Sequence, residues 1–424
     1  MPAMKYKRNA LNNEAIRKSA KLCELQDALV IPLQPDSNPG NVKGGVKNQT
    51  LATSFHQHRW EVIHSAKSGL ELATDVVFLN KTAETSKYIK GCYLFGGPLF
   101  SNFGHFLAEC IHRLWAFEYQ SKVNEIYFDG VVILPQCAEK PGLLRRITYQ
   151  LPPVFIETLN YLGIPKSKIK YQFSAVTYEQ LHVPQQASYF RSQIPIGQEY
   201  KAFLSRCERR NGINGSIAGY QNVYVSRTNF SLKGAIAGES YLESFLERNE
   251  FHIFYPENHS IVEQLQTYKS AKEIVFAEGG ALHVLELLGD IAANIYVIAR
   301  RPKSQRVFTA MLEARAKNFI FFTSVVTLPS LFVPEQSDKT AHGSAISVVA
   351  IDALVTFLQN SLQVDIAKFV LGDFTAAVER DLQGYYDYYK ELTPGNESTK
   401  KIAMEKYQKQ VNSMEGYSNL KLDG

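Results

Sequence analysis

Hydrophobic and polar positions change in regular blocks through the second half of the chain. NVYVSR is a β-rich run, ESYLESFLERNEF repeats its apolar residues at helical spacing, and HIFYP is β-rich again. SIVEQLQTYKSA follows as a helix, opened by Ser260 and Glu263 three residues apart in the manner of a capping box. EIVFA, GGALHVLELLG and NIYVIA then predict strand, short helix and strand. Strands alternating with helices of this length imply right-handed βαβ units and a parallel sheet. The first half alternates less cleanly. From about Tyr93 to Leu134, GGPLFSNFG predicts a loop broken by Gly96, Gly97 and Pro98, HFLAECIHRLWAFEY a helix and EIYFDGVVIL a strand. LRRITYQLPPVFIETLNYLG is mixed, and IKYQFSAVTYEQLHVP reads as strand with turns. RCERRNGINGSIAGYQ is charged and then rich in Gly and Asn, which predicts a linker joining two halves near Arg209–Gln221. Beyond about Leu392 the chain is polar and is expected to be weakly ordered.

Length turns this pattern into domains. A chain of 424 residues exceeds one ordinary core. The boundaries expected are 1–215 and 216–350 for two Rossmann-like α/β domains, with 351–424 as C-terminal helices and a polar tail. Hydrophobic residues at 45% and charged residues at 21% fit a globular protein. A net charge of +5 suits an anionic ligand or a loose contact at a membrane surface, and is too small to argue for nucleic acid. The basic N-terminus lacks the apolar stretch of a secretory signal, and no run is apolar long enough to span a bilayer. Cys23, Cys92, Cys110, Cys137 and Cys207 are odd in number and scattered, which argues against a disulfide framework or a thiolate zinc site and for a reducing cytoplasm.

Three constellations could carry chemistry. In Asn102-Phe-Gly-His105-Phe-Leu-Ala-Glu109-Cys-Ile-His112-Arg113, a helix starting near Gly104 would put His105, Glu109 and either His112 or Arg113 on one face. A carboxylate and an imidazole one turn apart can act as an acid/base unit, although an amphipathic helix with a solvated polar face satisfies the same spacing. Ser226-Arg227 ends a strand, with Lys233 shortly after. Ligands of open parallel sheets bind outside the carboxyl ends of strands, and a guanidinium there suits phosphate. Glu278-Gly279-Gly280-Ala281-Leu282-His283 follows another strand, where the glycines let a ligand approach the backbone and the amides of a helix start attract an anion. The full dinucleotide fingerprint and the P-loop are both absent. The ten histidines form no metal pattern: His56 and His58 stand in an isolated His-x-His, and no Asp-x-Asp motif is present.

Taken in order, NFGHFLAE, VYVSR with a downstream basic residue, and HIFYPENHSIVEQLQTYKSAKEIVFAEGGALH resemble glycosyltransferase family 61, from about Gly91 to Val297. The resemblance implies a GT-B-like pair of Rossmann-like domains facing across a cleft, inversion at the anomeric carbon and no metal requirement. It assigns the family's Asn-x-x-His-x-x-x-Asp/Glu element to Asn102, His105 and Glu109, and its Ser-Arg to Ser226 and Arg227. Lys233 stands where members usually have Arg, and Glu278 departs from the His-Gly-Ala-Gly of plant and animal members. The 1–215 domain would then face the acceptor and the 216–350 domain would hold the nucleotide sugar.

The chemistry implied is a single displacement. Glu109 is the expected base with His105 beside it, and the leaving diphosphate would be met by Arg227, Lys233 and the Gly279–Gly280 turn. Asn102, Arg113, Ser226, Glu278 and His283 complete the expected substrate and donor contacts. No cofactor or metal is expected beyond a nucleotide-sugar co-substrate, taken as a UDP-sugar. The acceptor would be a saccharide or lipid-linked saccharide in capsule or exopolysaccharide synthesis, in the cytoplasm and peripheral to the inner membrane. Two rival readings stay open: a polysaccharide pyruvyltransferase, and a non-catalytic nucleotide-sugar binder acting as a partner protein.

Overall fold

The computed structural model describes residues 4–7, 22–35, 42–47, 55–56, 87–118, 125–136, 149–184, 186–188, 196–215, 219–331, 344–392 and 397–413. The chain divides into two compact units. One comprises Ala10–Ile213 and Glu286–Asp290, the other Met1–Asn9, Asn214–Leu285 and Ile291–Gly424. They are called here the N-terminal and C-terminal units.

The N-terminal unit is built on a seven-stranded sheet. Its strands are β2 (Leu22–Pro35), β3 (Val42–Lys47), β4 (Phe55–His56), β5 (Lys87–Leu99), β6 (Gly130–Pro135), β7 (Ile169–Tyr171) and β8 (Val176–Pro184), in the order β4-β3-β2-β8-β5-β6-β7. β5 runs parallel to both β6 and β8, and β6 is parallel to β7. β2 is antiparallel to β8 and β3, and β3 to β4. The sheet is therefore mixed, where a Rossmann-like parallel sheet was expected. The reason lies in the connections. β2 ends at Pro35 and β3 begins at Val42, too short a link for the dozen or more residues of a parallel crossover. The expected loop at Gly96, Gly97 and Pro98 is also strand. β5 passes through them with a register shift between Phe95 and Gly97, where Gly97 takes φ +93°. That left-handed conformation is open to glycine at no steric cost, so the breakers bend the strand without ending it.

One face of this sheet buries Leu25, Val30, Phe95, Val132, Leu134, Leu181 and Val183, with Tyr93 and Tyr178 in ring contact at 4.7 Å. Helix Pro153–Tyr161 presents Phe155, which stacks on Phe106 at 4.1 Å and 7° between planes. Helix Gln198–Arg210 buries Tyr200, Phe203, Leu204 and Cys207. The first part of the expected linker is thus helix. Arg206 and Arg210 both pair with Glu118, at 3.1 and 3.0 Å, and Arg210 also donates to the Tyr161 carbonyl. Charge here marks an intradomain clamp rather than a tether.

The C-terminal unit carries a six-stranded sheet of β1 (Met4–Lys7), β9 (Asn222–Val225), β10 (His252–Phe254), β11 (Glu273–Ala277), β12 (Ile291–Ile298) and β13 (Ala316–Phe322), in the order β1-β13-β12-β11-β9-β10. β9 to β13 are mutually parallel and alternate with helices, as their apolar pattern predicts. The helix after β10 starts with the expected box: Ser260 Oγ accepts from Glu263 N at 3.3 Å and Ser260 N donates to Glu263 Oε2 at 2.7 Å. β1 pairs antiparallel with β13, so the first residues of the chain close the edge of the second unit. A short ribbon of β14 (Val325–Thr327) and β15 (Ser347–Val349) follows.

The described residues of the segment 351–424 do not form a separate appendage. Helices Ile351–Asn360, Leu371–Leu392 and Glu397–Asn412 join the core of this unit, where Phe357, Phe374, Val378, Leu382, Tyr385, Tyr407 and Val411 are buried with Tyr224, Val275 and Tyr296. The expected weak order beyond Leu392 is corrected for residues 397–412. Tyr407 and Val411 lie four residues apart on one helical face, flanked by lysines that make the segment look polar overall. No described helix is long and apolar enough to cross a membrane.

Candidate active site

Two polar clusters form, one in each unit. In the N-terminal unit Asn102 caps a helical turn at Phe103–His105 by accepting from His105 N at 3.2 Å. The chain then widens into a π-helix over Phe106–Cys110 instead of continuing as a regular α-helix. His105 Nδ1 and Glu109 Oε1 lie 2.5 Å apart. The imidazole is 43% exposed and the carboxylate 4%, so the ring faces solvent and the carboxylate sits behind it. Phe106, Leu107, Ala108 and Cys110 are buried around them, and the Phe106–Phe155 stack fixes the segment.

The expected shared polar face ends there. Arg113 is 1% exposed and donates to Gln186 Oε1, while Gln186 Nε2 donates to the Glu109 carbonyl at 3.1 Å. His112 is wholly buried, with Nδ1 2.7 Å from the Tyr200 hydroxyl and Nε2 3.0 Å from Glu286. These side chains brace the segment from inside. Gln186, Tyr200 and Glu286 escape a sequence reading because their partners lie 73 or more residues away.

In the C-terminal unit, neighbouring strands β9, β11 and β12 end side by side and release Ser226-Arg227, Glu278-Gly279-Gly280 and Arg300-Arg301. Ser226 Oγ donates to Glu243 and contacts Thr228 Oγ1 at 3.0 Å. Arg227 N donates to Glu239 Oε1 at 2.7 Å and Arg227 Nε to the Gly234 carbonyl at 2.9 Å. Its guanidinium lies against the glycine turn: a Cβ on Gly279 would stand 2.8 Å from Arg227 Nη1. Glycine at 279 leaves room for that approach. Burial lowers the Arg227 pKa, opposed by Glu239 and Glu278.

Glu278 is 1% exposed and fully engaged. Oε2 accepts from Arg300 N at 2.7 Å and Arg301 N at 3.1 Å, and Oε1 from Arg301 Nη2 at 2.7 Å and Nε at 3.1 Å. Burial pushes its carboxyl up, but Arg301, Arg300 and the Ser304 hydroxyl outweigh this and hold it below the usual range. Burial pushes Glu239, 2% exposed, up to about 7 against the pull of the Arg227 amide. Gly280 opens the 3-10 helix Gly280–Leu287, and His283 within it is buried with its ring 4.9 Å from Phe308. The Lys233 side chain and His58 lie outside the described residues. Arg300 and Arg301 were not singled out from the sequence, although they stand at the end of NIYVIA, where the carboxyl-end rule could have found them. Among the described residues no three His, Cys, Asp or Glu gather in the manner of a metal site.

Most of both clusters falls in one stretch of sequence, with Asn102, Arg300 and Arg301 outside it. Residues 103–287 match the family Glycosyltransferase 61. The match takes in His105 and Glu109 as well as Ser226, Arg227 and the Glu278–Gly280 turn, and spans under half of the chain. A search of curated proteins finds no match. The family match supports a glycosyltransferase, an enzyme class that takes a sugar donor and an acceptor as substrates. That places sugar transfer ahead of pyruvyl transfer.

Proposed function

We propose that this glycosyltransferase inverts the anomeric carbon without a divalent cation, moving a sugar from a UDP-sugar to a hydroxyl of a saccharide or lipid-linked saccharide. The division of labour is GT-B-like: the C-terminal unit binds the nucleotide and the N-terminal unit supplies the base. In the reaction the acceptor oxygen bonds to the anomeric carbon as the bond to the diphosphate oxygen breaks. The acceptor proton must leave at the same time, and charge grows on the leaving diphosphate.

The observation that carries the proposal is the His105–Glu109 pair, 2.5 Å apart with the imidazole exposed and the carboxylate buried. It supports a reversal of the roles expected from spacing. Glu109 holds the ring through Nδ1 and stabilises the imidazolium, and His105 receives the proton, since it is the member of the pair that a substrate can reach. Asn102 sets the turn that presents it. Arg227 and the amides at Gly279 and Gly280 meet the diphosphate, with Lys233 assigned beside them. The bacterial capsule or exopolysaccharide setting, in the cytoplasm and with peripheral membrane contact, follows the family resemblance and the net charge of +5.

The test is turnover with a panel of nucleotide sugars after exhaustive chelation, with product configuration read by NMR. Transfer that persists and inverts supports the proposal. Activity that vanishes with chelator and returns with manganese refutes it. A chain that binds donor yet neither transfers nor hydrolyses it would be the non-catalytic partner.

A further inference from the structure

Three arginines leave strand ends at the edge of the C-terminal unit, Arg300 buried and Arg227 and Arg301 half-buried. Arg227 leaves β9, and Arg300 and Arg301 leave β12, on either side of β11 and its Glu278–Gly279 turn. Arg300 is 5% exposed, and burial lowers its pKa to about 10 although Glu278 opposes this. Facing them are the buried acids Glu278 and Glu239 and the half-buried Glu243. Glu278 is held ionised by Arg301 and Arg300. Glu239 is pushed up to about 7 by burial, and its Oε2 meets no hydrogen-bond partner among the described residues. Glu243 accepts from the Ser226 and Thr228 hydroxyls, and Glu257 is exposed and screened by water. Guanidinium groups at the carboxyl ends of adjacent parallel strands, where ligands of such sheets bind, suit an anion.

Arg301 is oriented to provide for one. Its Nε and Nη2 edge faces Glu278 Oε1, its backbone amide donates to Glu278 Oε2, and its side chain keeps 32% exposure. A guanidinium has five N–H donors in a rigid fork, so the Nη1 donors stay available for a ligand when the other edge is pinned.

We propose that Arg301 is a phosphate-binding residue for the nucleoside diphosphate of the donor, with Glu278 as its positioning residue and Arg300 as the buried charge behind it. The diphosphate would then lie over the Gly279 turn with an arginine from a strand end on each side. Glu278 itself does not touch the donor, which revises the contact expected from its place in the motif. This rests on the reading of the C-terminal unit as the donor unit.

The experiment is calorimetry on the full chain, using whichever of UDP, GDP, ADP or dTDP binds the wild type most tightly, and the matching nucleoside. Arg301→Gln leaves Glu278 buried and less well paired, so the double variant Glu278→Gln with Arg301→Gln is measured beside it. Both should lose about 10- to 100-fold in diphosphate affinity, the worth of a charge-assisted hydrogen bond, with nucleoside affinity within about 2-fold of wild type. Arg227→Ala should show the same split. Equal losses for diphosphate and nucleoside, or an unchanged diphosphate affinity in the double variant while Arg227→Ala weakens it, would make Arg301 a fold-holding ion pair and leave the donor reading intact. Absence of binding by the wild type to all four diphosphates would overturn the donor reading and this inference together.

Discussion

Replacing Glu239 by Gln should flatten the pH dependence of stability. Glu239 opens the helix Glu239–Glu247 at 2% exposure. One carboxylate oxygen accepts from Arg227 N at 2.7 Å and from the Tyr224 hydroxyl at 3.2 Å. Burial raises its pKa from 4.5 to about 7, with Glu243 adding to the rise and the Arg227 amide, the Tyr224 hydroxyl and the Arg227 charge opposing it. A carboxyl whose pKa is higher in the folded state binds its proton more tightly there. Its favourable contribution is therefore complete below pH 4.5 and is lost as pH climbs through about 7. One pKa unit is worth about 1.4 kcal/mol, so the whole loss is about 3 kcal/mol. Denaturant unfolding of wild type and Glu239→Gln from pH 4.5 to 8 isolates this group, because other titrating side chains cancel in the difference. The wild type should lose about 3 kcal/mol relative to the variant over that range. Parallel curves would show that the Glu239 pKa is the same in the folded and unfolded states, so that burial does not raise it.

Three further outcomes follow from single contacts. Gly238 has φ +81°, and a Cβ there would lie 2.7 Å from Phe374 Cε2 and 2.8 Å from Val378 Cγ2; Gly238→Ala should cost roughly 2–4 kcal/mol of stability, read from the denaturant midpoint. Phe155→Ala removes the ring stacked on Phe106 and should cost about 3–5 kcal/mol, with an unaltered melting profile as the contrary result. Glu109→Gln offers His105 Nδ1 an amide in place of a carboxylate, and should keep nucleotide binding while lowering turnover by roughly 10²–10⁴.

The parallel sheet of the C-terminal unit is legible because each strand is a short β-rich run followed by an amphipathic helix of its own. The edges of the sheets are not. β1 is four residues whose partners in β13 lie more than 300 positions along the chain, and pairing at such a distance leaves no local pattern. β2 escapes notice for the same reason, because its partners in β8 lie more than 140 positions along the chain. At the site, Ser226, Arg227 and the Gly279 turn can be read from the carboxyl ends of strands. The spacing of His105 and Glu109 predicts their contact, but their division of roles depends on which side chain is buried, and the π-helix that sets this satisfies the same four-residue spacing as an α-helix. Glu278 looks like part of a ligand motif until its partners at Arg300 and Arg301 are seen.

The central claim is that the exposed imidazole of His105, held by Glu109, takes the acceptor proton. The most direct measurement is the turnover of His105→Gln at saturating donor and acceptor, with nucleoside diphosphate affinity measured on the same sample. Gln keeps polarity and approximate size but cannot accept the proton at neutral pH. Nucleotide affinity should be unchanged and turnover lower by roughly 10²–10⁴. Turnover within a few-fold of wild type, with Glu109→Gln inactive, would contradict it and make the buried carboxylate the base.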